Sequence, residues 1–90
     1  MNRTDHDEIS GALRGLVIRL SDRLPDKDVL LITEFVDVGE LGLALEQIAD
    51  VMSEDERPLT TDERSDMLAL AMRMEMGARV PHALSFCPDR

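Results

Sequence analysis

Apolar residues recur along the chain at steps of three and four, the spacing of one face of an α-helix, and no segment alternates as a strand would. The first apolar stripe, over residues 9–24, predicts a helix that has Asp5, Asp7 and Glu8 at its amino end and that Pro25 closes. The second predicts a helix over residues 26–38. Gly39 then stands where a residue in the left-handed conformation commonly ends a helix, so a very short joint to the next helix is expected.

A third apolar stripe over residues 41–52 predicts a helix that we expect to be central in the molecule. Residues 53–59 are polar, contain a proline and predict a loop. Thr60 and Glu63 have the spacing of a capping box, which predicts that a fourth helix begins there; its apolar positions continue up to Gly77.

The tail over residues 78–90 predicts only a short helical turn that packs back on the rest and frays near Pro88. Joints this short mostly connect antiparallel neighbours. The sequence therefore predicts an all-α fold, an antiparallel bundle of four helices with a short C-terminal helical turn, in a single domain over residues 1–90.

Composition adds few sites for chemistry. Of the 90 residues 43% are hydrophobic, which is typical of a globular domain. The single cysteine, Cys87, excludes an internal disulfide framework, and a reducing, cytoplasmic compartment is expected. The methionines after residue 50 are interpreted mainly as core residues.

The net charge of −9 limits the partners that this chain can bind. It repels the phosphates of nucleic acids and anionic lipid surfaces, so neither nucleic acid nor a membrane is an expected ligand. The amino terminus is too charged for a signal peptide, and no stretch is long and apolar enough to span a membrane. A basic protein is the plausible counterpart.

The acidity is regional, because residues 26–66 hold thirteen of the 19 acidic side chains and only three of the ten basic ones. No basic residue lies between Lys27 and Arg57, so the segment of residues 28–56 contains no ion-pair partners of its own. Within it, Glu46 and Asp50 are four residues apart and repel each other mildly until a cation arrives. The segment is interpreted either as a binding face for a cation-rich partner or as a solvated face that keeps the chain soluble.

No enzyme is expected, since no motif pairs a nucleophile with a base. Cys87 lies near the chain end with no signature around it, and we interpret it as a bystander thiol in a poorly ordered segment. His82 and Cys87 lack the two further ligands that structural zinc needs, so no metal or other cofactor is expected.

One segment is similar to a known family. Residues 34–46 read EFVDVGELGLALE, an acidic helix end, a Gly-Glu joint and a Leu-Ala-Leu-Glu helix; an acidic loop and a Leu-Thr pair that begins the last long helix follow. Over residues 24–77 the chain resembles the MafI-type immunity proteins, which are related to immunity proteins of contact-dependent growth inhibition. The resemblance implies a helical antitoxin that binds and neutralises a cognate secreted toxin domain, and such toxins are often nucleases.

The hypothesis on these grounds is an immunity protein, a monomer or weak homodimer, whose acidic surface meets a basic toxin. An acidic helical adaptor, or a protein that binds a transcription regulator, is the alternative, and a structural subunit with a solubilising surface is a third. The toxin-binding residues are expected among the acids of the second and third helices and the following loop: Glu34, Asp37, Glu40, Glu46, Asp50, Glu54, Asp55 and Glu56.

Overall fold

The computed structural model describes residues 2–90. Within them, every regular secondary-structure element is an α-helix. The predicted all-α fold class is therefore confirmed. Four longer helices are followed by a short one near the carboxyl end: α1 (Arg3–Arg19), α2 (Asp26–Asp37), α3 (Leu41–Glu54), α4 (Thr61–Arg73) and α5 (Arg79–Leu84).

Helix α3 is the centre of the molecule, as predicted, because it packs against each of the other four helices. Its whole apolar stripe is buried, with Ala44, Leu45, Ile48 and Met52 completely inaccessible to solvent. Leu43 lies off that stripe, and its side chain is 45% exposed.

Helix ends follow local chemistry closely. The Asn2 side chain accepts a hydrogen bond from the Asp5 backbone N–H at 2.9 Å and caps α1. The predicted capping box at α4 is present: the Thr60 hydroxyl accepts from the Glu63 N–H at 3.1 Å, and the Glu63 carboxylate accepts from the Thr60 N–H at 2.9 Å. Beyond α2, Gly39 has the expected left-handed conformation, with φ 81°.

Two helices end earlier than their apolar patterns predict. Helix α1 stops at Arg19 rather than before Pro25, yet Leu20 and Leu24 remain buried because the turn over residues 20–24 folds onto the core. The irregular backbone of this turn brings the Arg23 side chain inward. Helix α4 stops at Arg73 rather than near Gly77, because Glu75 already adopts a left-handed conformation, with φ 54°.

The Arg23 side chain forms a buried ion pair with Glu63. Its two terminal nitrogens donate to the two Glu63 carboxylate oxygens at 2.7 and 2.8 Å, and they also donate to the backbone carbonyls of Pro58 and Arg19. The hydrogen bonds from Arg23, together with those from Thr60, lower the pKa of Glu63 to about 2, although burial acts in the opposite direction. The pair ties the turn after α1 to the beginning of α4.

The carboxyl-terminal tail is fixed rather than frayed, so that expectation is wrong. The Arg64 guanidinium donates to the Leu84 and Cys87 carbonyls, each at 2.7 Å. The Leu59 N–H donates to the Pro88 carbonyl at 2.9 Å, and the Arg90 N–H donates to the Leu59 carbonyl at 2.8 Å. Cys87 is consequently buried, and burial raises the pKa of its thiol, which makes it a poor nucleophile.

The Arg23–Glu63 pair generates a prediction for Glu63→Gln. Glutamine keeps the side-chain oxygen that accepts from Thr60 but removes the charge, so we expect the free energy of unfolding at pH 7 to fall by about 3 kcal/mol. The pKa of Glu63 is lower in the folded chain than in the unfolded chain, so its contribution is complete above pH 4.5 and is lost as the pH falls to about 2. Urea unfolding across that pH range measures both effects.

The control is Glu75→Gln, which removes an exposed carboxylate that forms no ion pair within residues 2–90. We expect Glu75→Gln to keep the steep loss of stability between pH 4.5 and 2 that Glu63→Gln lacks. If the free energy of unfolding depended on pH in the same way for the unsubstituted chain, Glu63→Gln and Glu75→Gln, the assigned role of the Arg23–Glu63 pair would be contradicted.

Candidate protein-interaction surface

The predicted acidic residues lie along the length of α2 and α3 and do not form one cluster. Glu34 and Asp37 lie on α2, and Glu40 lies in the joint that precedes α3. Helix α3 has 14 residues, so its two ends are about 20 Å apart. The remaining acids follow α3 from its middle to the turn beyond its end: Glu46, Asp50, Glu54, Asp55 and Glu56.

Arginines from outside α2 and α3 pair with several of these acids. Arg14 on α1 donates to the Asp37 carboxylate at 2.7 Å. Arg79 on α5 lies 3.4 Å from a Glu46 oxygen and 2.9 Å from an Asp50 oxygen, so one guanidinium bridges both carboxylates. The interpretation that Glu46 and Asp50 lack a cation until a partner arrives is therefore wrong, because the packing of α5 against α3 supplies one.

A second set of acids remains available. Asp55 is paired at 3.0 Å with Arg57, two positions along the chain. Four of the other predicted acids are exposed and form no ion pair within residues 2–90. Glu40 is the N-cap residue of α3, and no side chain caps that helix end by a hydrogen bond. The negative charge of Glu40 near the amino end of α3 interacts favourably with the helix dipole. The acids without a paired arginine are Glu34, Glu40, Glu54 and Glu56.

Exposed leucines lie beside these acids. Leu30 is 73% exposed, and it shares a face of α2 with Glu34 and Asp37, which follow at steps of four and three. The Gln47 side chain of α3 donates to the Asp28 carboxylate of α2 at 3.2 Å and joins the two helices. We define the α2–α3 surface as Leu30, Leu31, Glu34, Asp37, Val38, Glu40, Leu43, Glu46 and Asp50.

The exposure of Leu30 and Leu31 was not predicted from the sequence, because both belong to the apolar run from which the second helix was predicted. A stricter count of the helical period would have found Leu30, since Ile32 and Val36 lie on nearly the opposite side of the helix and are buried. The distinction matters because an exposed apolar patch bordered by polar groups matches the apolar centre and polar rim of a protein interface.

Other kinds of site have less support in the described structure. No group of three His, Cys, Asp or Glu side chains within residues 2–90 is placed to hold a metal ion. Among the helices of these residues, none combines the length and apolar character of a membrane span. His82 packs edge-to-face on Phe86 at 5.3 Å between ring centroids, which is a packing contact rather than a catalytic arrangement.

Comparison of the sequence with family profiles, with curated proteins and with solved structures gives no match. The resemblance of residues 24–77 to MafI-type immunity proteins thus stays a prediction. The functional interpretation depends on the geometry of the α2–α3 surface.

The Arg79 bridge generates a prediction for Arg79→Gln. This change leaves Glu46 and Asp50 to repel each other, so we expect a lower melting temperature at low ionic strength. The difference in melting temperature from the unsubstituted chain should shrink at high salt. The Glu46 and Asp50 carboxylates are solvent-accessible, so dissolved ions screen their repulsion effectively. Thermal unfolding followed by circular dichroism at low and high salt measures this.

Arg3→Gln is the matched control, since it makes the same change in net charge at an exposed arginine that forms no ion pair within the described residues. Equal melting temperatures for Arg79→Gln and Arg3→Gln at low salt would show that the Arg79 bridge contributes nothing specific.

Proposed function

We propose that this protein is an immunity protein that acts by binding, without catalysis, and that its α2–α3 surface covers a basic cognate toxin domain in the cytoplasm. The observation that carries the proposal is the juxtaposition of Glu34, which has no paired arginine within residues 2–90, with the exposed Leu30 on one helix face. The net charge of −9 and the resemblance to MafI-type immunity proteins support it.

The apolar part of the surface would supply the affinity. Leu30 and Leu43 expose large fractions of their side chains, 73% and 45%, and removing such area from water is favourable by about 25 cal/mol per Å². Leu31 and Val38 extend the same apolar area along α2. A patch of this kind, bordered by polar groups, typically forms the centre of an interface.

The acids would supply orientation and speed. Carboxylates without an internal cation, such as Glu34 and Glu54, attract a positively charged partner over the Debye length of about 8 Å at physiological salt. Complementary charges raise association rates toward ~10⁸ M⁻¹s⁻¹ at low salt. Rapid capture is valuable when every free toxin molecule is harmful, and it suits a nuclease, whose cleft is basic because it binds phosphates.

The paired acids have a different place in the proposal. Arg79 already neutralises part of the charge of Glu46 and Asp50, so these two residues contribute less to long-range attraction than Glu34 does. They would lie at the border of the interface, where charged contacts affect association rates more than affinity. The most informative single substitution is therefore at Glu34.

The direct test measures binding between this chain and a catalytically inactive form of the toxin domain encoded by the adjacent gene. For Glu34→Lys we expect a Kd at least about tenfold higher, mainly through slower association at low salt. Glu75→Lys is the control, because it makes the same change in charge at an exposed residue just beyond the end of α4 that is not part of the α2–α3 surface. It should bind nearly as the unsubstituted chain does.

Equal Kd values for Glu34→Lys and Glu75→Lys would exclude the α2–α3 surface. Protection is tested separately by producing the active toxin domain in cells with and without this chain and measuring growth. If the unsubstituted chain neither binds the toxin domain nor restores growth, the proposed function is wrong. A sigma factor or repressor encoded next door, and bound by this chain, would support the alternative of a regulator-binding protein.

A further inference from the structure

A second surface lies between α1 and α4. These two helices run side by side but leave a groove of about 460 Å³ between them. Leu16 and Leu70 form its floor, and small residues on both helices leave its walls low. The residues that line the groove are Ala12, Gly15, Leu16, Arg19, Asp66, Ala69, Leu70 and Arg73.

The two most exposed apolar side chains of the described chain lie on the same two helices, although they do not line the groove. Met72 is 80% exposed and follows Ala69 by three positions on α4, and Ile18 is 74% exposed and follows Gly15 by three positions on α1. The interpretation of Met72 as a core residue is therefore wrong. An apolar groove between helices that also expose large apolar side chains is typical of an unfilled protein contact.

The charges at the two ends of the groove nearly cancel, since two arginines contact three carboxylates. At one end, Arg19 of α1 contacts Asp66 of α4 at 2.8 Å. At the other end the signs are exchanged between the helices, because Arg73 of α4 contacts Glu8 and Asp5 of α1 at 3.1 and 3.3 Å. In a chain of net charge −9, this face is close to neutral.

We propose that this groove is the contact surface for a second copy of the chain. If the two copies are related by a two-fold axis along the groove, Arg19 faces the partner's Asp66; if the axis runs across it, Arg19 faces the partner's Glu8. Opposite charges meet in both arrangements. Two copies that met through the acid-rich helices α2 and α3 would repel each other, so the near-neutral α1–α4 face gives less electrostatic repulsion than that arrangement.

This inference does not depend on the proposed immunity function. The groove lies on the side of α1 that carries Glu8 and Arg19, whereas the side that carries Arg14 pairs with Asp37 of α2. A dimer formed through the groove would leave the α2–α3 surface of each copy open to a partner.

The test compares Gly15→Gln with Gly11→Gln by sedimentation equilibrium over a range of concentrations. No atom lies within 4 Å of a Cβ built at either glycine, so the monomer accommodates both changes, and glutamine favours a helix more than glycine does. Gly15 lines the groove and Gly11 does not. Circular dichroism confirms that each variant folds, and Ala69→Gln fills the groove from the other helix.

We expect the mass of the unsubstituted chain to rise with concentration from 10.1 kDa toward twice that value. Gly15→Gln and Ala69→Gln should raise the dimer dissociation constant at least about tenfold, whereas Gly11→Gln should leave it unchanged. A mass of 10.1 kDa for the unsubstituted chain up to about 1 mM would overturn the proposal. So would equal weakening by Gly11→Gln, or self-association that neither groove variant affects.

Discussion

The structure depends on arginines that reach across the chain to acids far away in sequence. The acidic excess lies in residues 26–66, and a fold that gathered these carboxylates without cations would be opposed by their repulsion. Within residues 2–90, the one pair of this kind that is buried on both sides joins Arg23 to Glu63, 40 positions apart. Other such contacts fasten α1 to α2 and to α4, and α5 to α3: Arg14–Asp37, Arg19–Asp66, Arg73–Glu8 and Arg79–Asp50.

The sequence predicts the elements whose causes are local. The capping box at Thr60 and the glycine after α2 are each determined by a few neighbouring residues, so the helix boundaries predicted from them are correct. The end of α1 is not, because Arg23 leaves the helical path to reach Glu63 and two backbone carbonyls. A contact between residues so distant in sequence leaves no periodic signal.

The candidate surface shows the same division. Its acidic character was predictable from the charge distribution, but the pairing of Glu46 and Asp50 with Arg79 was not, since it depends on how α5 packs against α3. That pairing shifts the interpretation from a continuous acidic face toward a smaller surface on which Glu34 and Leu30 lie side by side. The partner would then be recognised by apolar contact and charge together.

The most direct test of this account is the nuclear magnetic resonance footprint of a partner on the isotope-labelled chain. The partner is the inactive toxin domain encoded by the adjacent gene, added at low and then at physiological salt. The account predicts that signals of Leu30, Glu34 and Val38 change most, and that binding weakens as salt rises. Changes confined to α1 and α4, or no changes at either salt concentration, would contradict it.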